Sequence, residues 1–353
     1  MLGRPPAFDP PPLPPRAPWW GGDLQTLRNT LRPPRLPALA GAERLWLDLH
    51  DGTGSRLAAA LNRPADGGDR PLAVLVHGLT GDEGSANVCL SAAHLLDRGY
   101  PVLRLNLRGA GLSAGHSRGA YHAGRSDDLA AALRALPAGL AGRGVVLVAY
   151  SLGANMVLKF LAEGHPGPAV RAAAAVSAPI DLKAAQLTIA RPRNRLYERY
   201  LLTRMKAAAA EGADPGRRRL VAGLRSIYQF DGAIVAADNG FAGADDYYAR
   251  SAAKQFLARI TAPTLIVHAL DDPWIPAAAY LDHPWDPDGP LTVLLPATGG
   301  HGGFHARGQR VPWHDRCIGA FFDGVVRPAG SADQSAASTM APRSLSTITG
   351  DSK

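Results

Sequence analysis

Cysteine is nearly missing from these 353 residues, which hold only Cys89 and Cys317. Two could make one bridge, but neither belongs to a Cys-x-x-Cys or Cys/His cluster, so nothing points to a disulfide framework or a cysteine-ligated zinc site. Each is expected to be a buried or half-buried free thiol. Long apolar runs are missing too. No stretch approaches 18 uninterrupted apolar residues, and nothing is expected to span a bilayer. Met1 to Trp20 is rich in proline and has no apolar h-region, which speaks against a signal peptide and makes the cytoplasm the expected location. A clustered basic face is the third absence. The formal charge is +8, yet the arginines are scattered and their densest run, Arg217-Arg218-Arg219, is short. Phosphate binding needs a concentrated basic surface, so these read as solvated side chains and no nucleic-acid partner is expected.

What is present suits a globular enzyme: 46% of the residues are hydrophobic and 19% charged. Residues 1–40 carry a proline-rich arm, Pro5 to Pro18, then Trp19 to Leu31 and further prolines. Proline resists helix and central strand, so this region is expected to lie on the body as an extended strap. Residues 329–353 are Ser, Thr, Ala and Gly with few large apolar side chains, and disorder is expected there. Between them, in residues 41–328, strands and helices alternate as in a mostly parallel sheet flanked by helices. Arg44 to Leu49 alternates like an edge strand and turns back into Arg56 to Asn62. Buried strands are read at Leu72 to Val76, Val102 to Leu107, Val145 to Ala149, Ala172 to Val176, Thr264 to His268 and Leu291 to Leu295. Helices are read at Ala86 to Asp97, Ser126 to Leu136 and Leu152 to Glu163. Residues 179–262 interrupt the alternation with helical spacing at Arg191 to Met205 and Gly216 to Phe230, as a cap inserted over an active site would.

The chemistry concentrates at strand ends. Val145 to Ala149 runs into Tyr150-Ser151-Leu152-Gly153, and a helical pattern follows at once. That context places a serine on a sharp strand-to-helix turn, with its hydroxyl above the sheet edge. Small residues are needed two before and two after it; Gly153 meets the rule and Ala149 is the smallest alternative to glycine. The helix N-terminus offers the Leu152 N–H to an oxyanion. A second N–H, assigned to Leu79, is expected from His77-Gly78-Leu79-Thr80-Gly81 after the first buried strand. His77 then shapes the loop rather than serving as a base. A serine nucleophile needs a base and an orienting carboxylate, which on this kind of sheet follow in the order Ser, acid, His. Asp271 and Asp272, after Thr264 to His268, are the two candidates for the acid. His301, set among glycines after the last strand, is the expected base, with His305 its rival. Asp127 and Asp128 open a helix, where carboxylates suit the free N–H groups and the dipole; no metal is expected.

Together these segments resemble the YheT-like branch of the α/β-hydrolases, a group that includes bacterial hydrolases and the plant embryogenesis-associated proteins. The resemblance runs through Asp23-Leu24-Gln25-Thr26-Leu27, His77-Gly78-Leu79, Asn106-Leu107-Arg108-Gly109, Ala120-Tyr121-His122, Tyr150-Ser151-Leu152-Gly153-Ala154-Asn155, Gly240-Phe241, Asp271-Asp272-Pro273 and Gly299-Gly300-His301. Asp23 stands where the family has histidine, Ala149 and Ala154 where it has glycine, and Gly111-Leu112-Ser113 lies near a family Cys-Ser-Gly. The usual spacing of the acid in this fold, four residues before an Ile-Pro proline, favours Asp272 through Pro276. The resemblance implies an α/β-hydrolase fold with a helical cap. It also implies a carboxylic ester hydrolase that needs no cofactor, with Ser151, Asp272 and His301 as a charge relay and Leu79 and Leu152 as the oxyanion hole. Its substrate is expected to be a small-molecule ester or lipid, the latter compatible with transient membrane contact. Acyl transfer on the same triad and a non-catalytic binding role are the alternatives.

Overall fold

The strands form where β-branched and other apolar residues predominate over short runs. A computed structural model, which describes residues 8–39, 41–65 and 67–326, holds one eight-stranded sheet in the order β1-β2-β4-β3-β5-β6-β7-β8. The strands are β1 (Glu43–Asp48), β2 (Arg56–Asn62), β3 (Leu72–Val76), β4 (Val102–Leu105), β5 (Val145–Tyr150), β6 (Val170–Val176), β7 (Thr264–Val267) and β8 (Leu291–Leu294). β1 and β2 are antiparallel additions, and every pairing from β4 to β8 is parallel. Parallel neighbours need crossovers, and helices supply them. The helices are α1 (Gly21–Leu31), α2 (Ala86–Leu96), α3 (Ser126–Arg134), α4 (Ser151–Glu163), α5 (Leu182–Ile189), α6 (Arg195–Ala210), α7 (Pro215–Gly223), α8 (Ile227–Phe230), α9 (Ala244–Ser251), α10 (Ala278–Leu281) and α11 (Trp313–Val325).

The period of two along each strand divides the core into two layers. Val74, Val76, Leu147, Ala149, Ala173 and Ala175 face α3 and α4, meeting Leu129, Val157, Leu158 and Phe160. Their neighbours Ala73, Leu75, Val146, Val148, Ala172 and Ala174 face α2 and α11, meeting Val88, Leu95, Cys317, Ile318 and Phe321. Both cysteines are buried free thiols. No helix among the described residues is long and apolar enough to cross a membrane.

Two expectations need correction. The arm is not extended throughout: Gly21 to Leu31 forms α1, because the prolines stop at Pro18 and resume at Pro33. Ahead of it, residues 8–20 do lie against the body, with the Trp313 indole N–H donating to the Pro11 carbonyl at 2.5 Å and the Arg307 N–H to that of Pro14 at 3.1 Å. The expected helix Gly216 to Phe230 is broken at Leu224, and the Ser226 hydroxyl caps a new start by accepting from the Gln229 N–H at 3.2 Å. The tail read as disordered, 329–353, lies outside the described residues.

Residues 179–262 hold no strand. Their apolar side chains form two small cores. One joins Leu201, Leu202, Met205, Phe230 and Ile234 to Leu79 and Trp274; the other joins Leu182, Ala236, Tyr247 and Tyr248 to Leu152. Leu79, Leu152 and Trp274 follow β3, β5 and β7. The helical insertion therefore roofs the C-terminal ends of the central strands, where an open α/β sheet places its ligand site.

Candidate active site

Tyr150 ends β5 and Ser151 opens α4 with φ at 51°, in the left-handed region. A non-glycine residue pays about 1–3 kcal/mol for such a conformation, and it persists only where the surroundings enforce it. Here α4 enforces it by packing its first turn onto the end of β3. A Cβ at Gly153 would lie 2.2 Å from the His77 carbonyl oxygen, so only glycine permits the approach. Ala149 is fully buried in the layer facing α3 and α4, and its methyl is accommodated within the same turn.

The three residues expected to form a relay converge. Ser151 Oγ lies 2.9 Å from His301 Nε2, and His301 Nδ1 lies 2.9 Å from Asp272 Oδ2. The two oxygens of Asp272 divide the work. Its Oδ1 accepts the N–H groups of Trp274 at 2.8 Å and Ile275 at 3.1 Å, which leaves Oδ2 for the imidazole. Burial alone would raise its pKa; His301, His268 and the Trp274 N–H outweigh burial and hold the carboxyl below its ordinary range. Asp272 is therefore an anion aimed at Nδ1, which selects the tautomer with a bare Nε2 facing the serine.

Asp271 serves the backbone instead. Its Oδ1 accepts the Gly300 N–H at 2.9 Å and ties down the histidine loop. His305 does not reach the serine. It is buried, its pKa is pushed down to about 3, chiefly by burial, and its main-chain N–H bonds Gln25.

The loop after β3 is braced from three sides. His77 is fully buried, and burial lowers its pKa to about 4, so it is neutral. Its Nδ1–H donates to the Gly78 carbonyl at 2.8 Å while Nε2 accepts the Leu107 N–H at 3.1 Å, the loop-shaping role expected of it. The Tyr121 hydroxyl donates to the same carbonyl at 3.2 Å and accepts the Thr80 N–H at 2.5 Å. From the cap, Arg204 donates to the Thr80 hydroxyl and carbonyl, both at 3.1 Å. This fixes Gly78, whose Cα would carry a Cβ only 3.0 Å from that of Ser151, and with it the neighbouring Leu79 N–H. Leu152 lies in the first turn of α4, where N–H groups have no intrahelical acceptor.

Comparisons with known proteins place the chain in a family. Residues 71–212 match the model of the alpha/beta hydrolase fold family. The chain is 36% identical over 272 residues to the putative esterase YheT of Escherichia coli, spanning 73% of this chain and 77% of that one. The chain belongs to the YheT-like α/β-hydrolases. A monoacylglycerol lipase of Saccharomyces cerevisiae is 25% identical, covering 67% of this chain and 55% of its own. The phospholipase ABHD3 of Mus musculus is 26% identical, covering 68% and 59%. In three dimensions, an esterase of Pyrococcus furiosus superposes with a TM-score of 0.54 at 15% identity, covering 90% of this chain and 97% of that one. At that identity the likeness shows the fold alone.

Several residues around Ser151, Asp272 and His301 were not singled out from sequence. Trp274 stacks on His301 with ring centroids 4.2 Å apart. His268 lies beneath Asp272, Nδ1 to Oδ2 3.9 Å, and stacks on Tyr280. The signal for Trp274 was its place two residues after Asp272; Tyr121 stood in a motif whose contact could not be read locally. Asp128 differs from expectation. Its carboxylate pairs with Arg108 at 2.7 Å and Arg125 at 3.0 Å instead of capping α3, because a guanidinium as deeply buried as Arg108 requires an anionic partner. Among the described residues no group of three or more His, Cys, Asp or Glu is arranged to hold a metal.

Proposed function

We propose that this ester hydrolase cleaves carboxylic esters through an acyl-enzyme on Ser151, driven by a charge relay through His301 and Asp272. The unbroken line from Ser151 Oγ to His301 to Asp272, 2.9 Å at each step, carries the reading. Ser151 Oγ bonds to the ester carbonyl carbon while its proton passes to His301 Nε2. The N–H groups of Leu79 and Leu152 hold the developing oxyanion. His301 then returns the proton to the leaving alkoxide, the C–O bond breaks, and an alcohol departs. Water then bonds to the acyl carbon and gives a proton to the same nitrogen; the bond to Ser151 Oγ breaks, Oγ takes that proton back from His301, and the acid leaves. Asp272 stabilises the imidazolium at both stages. The scheme calls on no metal or cofactor.

The apolar side chains meeting at the site support a lipid-like acyl group, reached by transient contact with a membrane surface. Leu79 and Trp274 pack with one cap core, Leu152 with the other, and Val235 joins both. Turnover of p-nitrophenyl esters of graded chain length, beside the Ser151→Ala variant, tests the proposal. Medium or long chains are expected to give the higher kcat/KM, and the variant to lose at least about 10³-fold. Comparable turnover by the variant would remove Ser151 as the nucleophile, and absence of turnover from both proteins would replace the proposal with a binding role. Product analysis with a competing alcohol separates hydrolysis from acyl transfer.

A further inference from the structure

The proposed chemistry does not involve α1, yet α1 is built into the histidine loop. The His301 N–H donates to the Thr26 hydroxyl at 2.8 Å. That hydroxyl donates its own proton to the Gly22 carbonyl at 2.7 Å, which fixes its rotamer and aims its lone pair at the loop. One residue earlier, the buried Gln25 amide pairs with both backbone groups of His305, accepting the N–H at 2.8 Å and donating to the carbonyl at 3.2 Å. Backbone meets backbone without side chains between. A Cβ at Gly22 would fall 1.8 Å from the Asp271 carbonyl oxygen, and one at Gly300, where φ is 57°, 2.3 Å from that of Gly22.

The same helix reaches the cap. Asp23 accepts from Arg193 at 2.7 Å and from the Tyr197 hydroxyl at 3.0 Å. Tyr197 sets its ring edge against Trp274, centroids 5.5 Å apart, and Trp274 lies on the imidazole of His301.

We propose that α1 is a clamp that positions His301. Thr26 fixes the main chain of the histidine, and the line Asp23–Tyr197–Trp274 fixes the plane of its ring. A base displaced by about 1 Å loses on the order of a hundredfold in turnover. The loss falls on kcat, because the imidazole works in the transition state and binds no part of the ground-state ester. Thr26 and Tyr197 are positioning residues; neither touches the reacting atoms. The inference rests on the Ser151–His301–Asp272 reading.

Thr26→Val keeps the shape of the side chain and removes the acceptor, while Thr26→Ser keeps the acceptor. With p-nitrophenyl butyrate, Thr26→Val is expected to lower kcat about 10- to 100-fold with KM within about twofold of wild type, and Thr26→Ser to restore kcat to within about threefold. A Thr26→Val kcat within about threefold of wild type, a loss expressed in KM, or equal impairment of Thr26→Ser would overturn the clamp. If Thr26→Val does not fold, Tyr197→Phe decides: a loss of about fivefold in kcat at unchanged KM supports the clamp, and no loss overturns it. Ser151→Ala assayed alongside separates the two ideas. Its activity would defeat the relay itself, whereas an inactive Ser151→Ala beside a fully active Thr26→Val defeats the clamp alone.

Discussion

Asp271 and Asp272 are adjacent carboxylates with the same intrinsic acidity, and their surroundings give them different work. Asp272 is buried, takes two backbone N–H groups on one oxygen and faces His301 with the other, whereas Asp271 accepts a loop N–H from Gly300. Asp272→Asn would present an amide to Nδ1 and favour the wrong tautomer, so kcat is expected to fall about 10³- to 10⁴-fold with folding retained. Asp271→Asn keeps an acceptor for the Gly300 N–H and exchanges a charged bond for a neutral one, worth about 1 kcal/mol or a factor of about five. Steady-state kinetics on the two variants checks this, and a reversed ranking would move the relay to Asp271. Sequence singled out the serine, the acid pair and the histidine because each lies on the turn or loop that follows an apolar strand, a local signal. Thr26 bonds a residue 275 positions away, and Tyr121 one 43 away, and nothing local encodes such approaches.

Among elements, the central strands were legible because burial on both faces writes continuous apolar runs. β3 matches its expected bounds, and β4 stops two residues early, where Asn106 turns its amide to the Ala58 carbonyl and to Glu83. The cap was less legible. Its helices bury only one stripe each, and that periodicity continues through the break at Leu224 that separates α7 from α8. Its coupling to the site was not legible at all. Arg204 on α6 holds Thr80, next to the proposed Leu79 donor, through two hydrogen bonds from an exposed side chain. Arg204→Met should therefore leave stability within about 1 kcal/mol, while loosening of the oxyanion loop lowers kcat/KM for a short ester about fivefold or more. Unchanged kcat/KM in a normally folded variant would show that the cap does not brace the hole.

Four buried histidines are held neutral across the molecule. Burial lowers His77 and His268 to about 4, and His122 and His305 to about 3, against about 6.5 in an unfolded chain. The unfolded state therefore binds more protons between these values, so this stability is complete above about pH 6.5 and is lost as pH falls toward 4. Each group contributes about 1.4 kcal/mol per pH unit over that interval. Asp231, raised by burial to about 7, acts in the opposite sense over the same range and offsets one histidine. With a net stability of about 5–15 kcal/mol for a domain, the urea midpoint is expected to fall steeply from pH 7.5 to 5. A flat profile would contradict the neutral burial. The paired carboxylates, such as Asp51 beside Arg108, give way only at lower pH.

The central claim is that one serine, raised at the β5–α4 turn and activated by His301, forms the acyl-enzyme. Labelling with a fluorophosphonate, read by intact mass and peptide mapping, tests it most directly. One adduct on Ser151 is predicted, absent in Ser151→Ala and strongly slowed in His301→Gln. An adduct that persists in Ser151→Ala, or maps to another residue, would contradict the account.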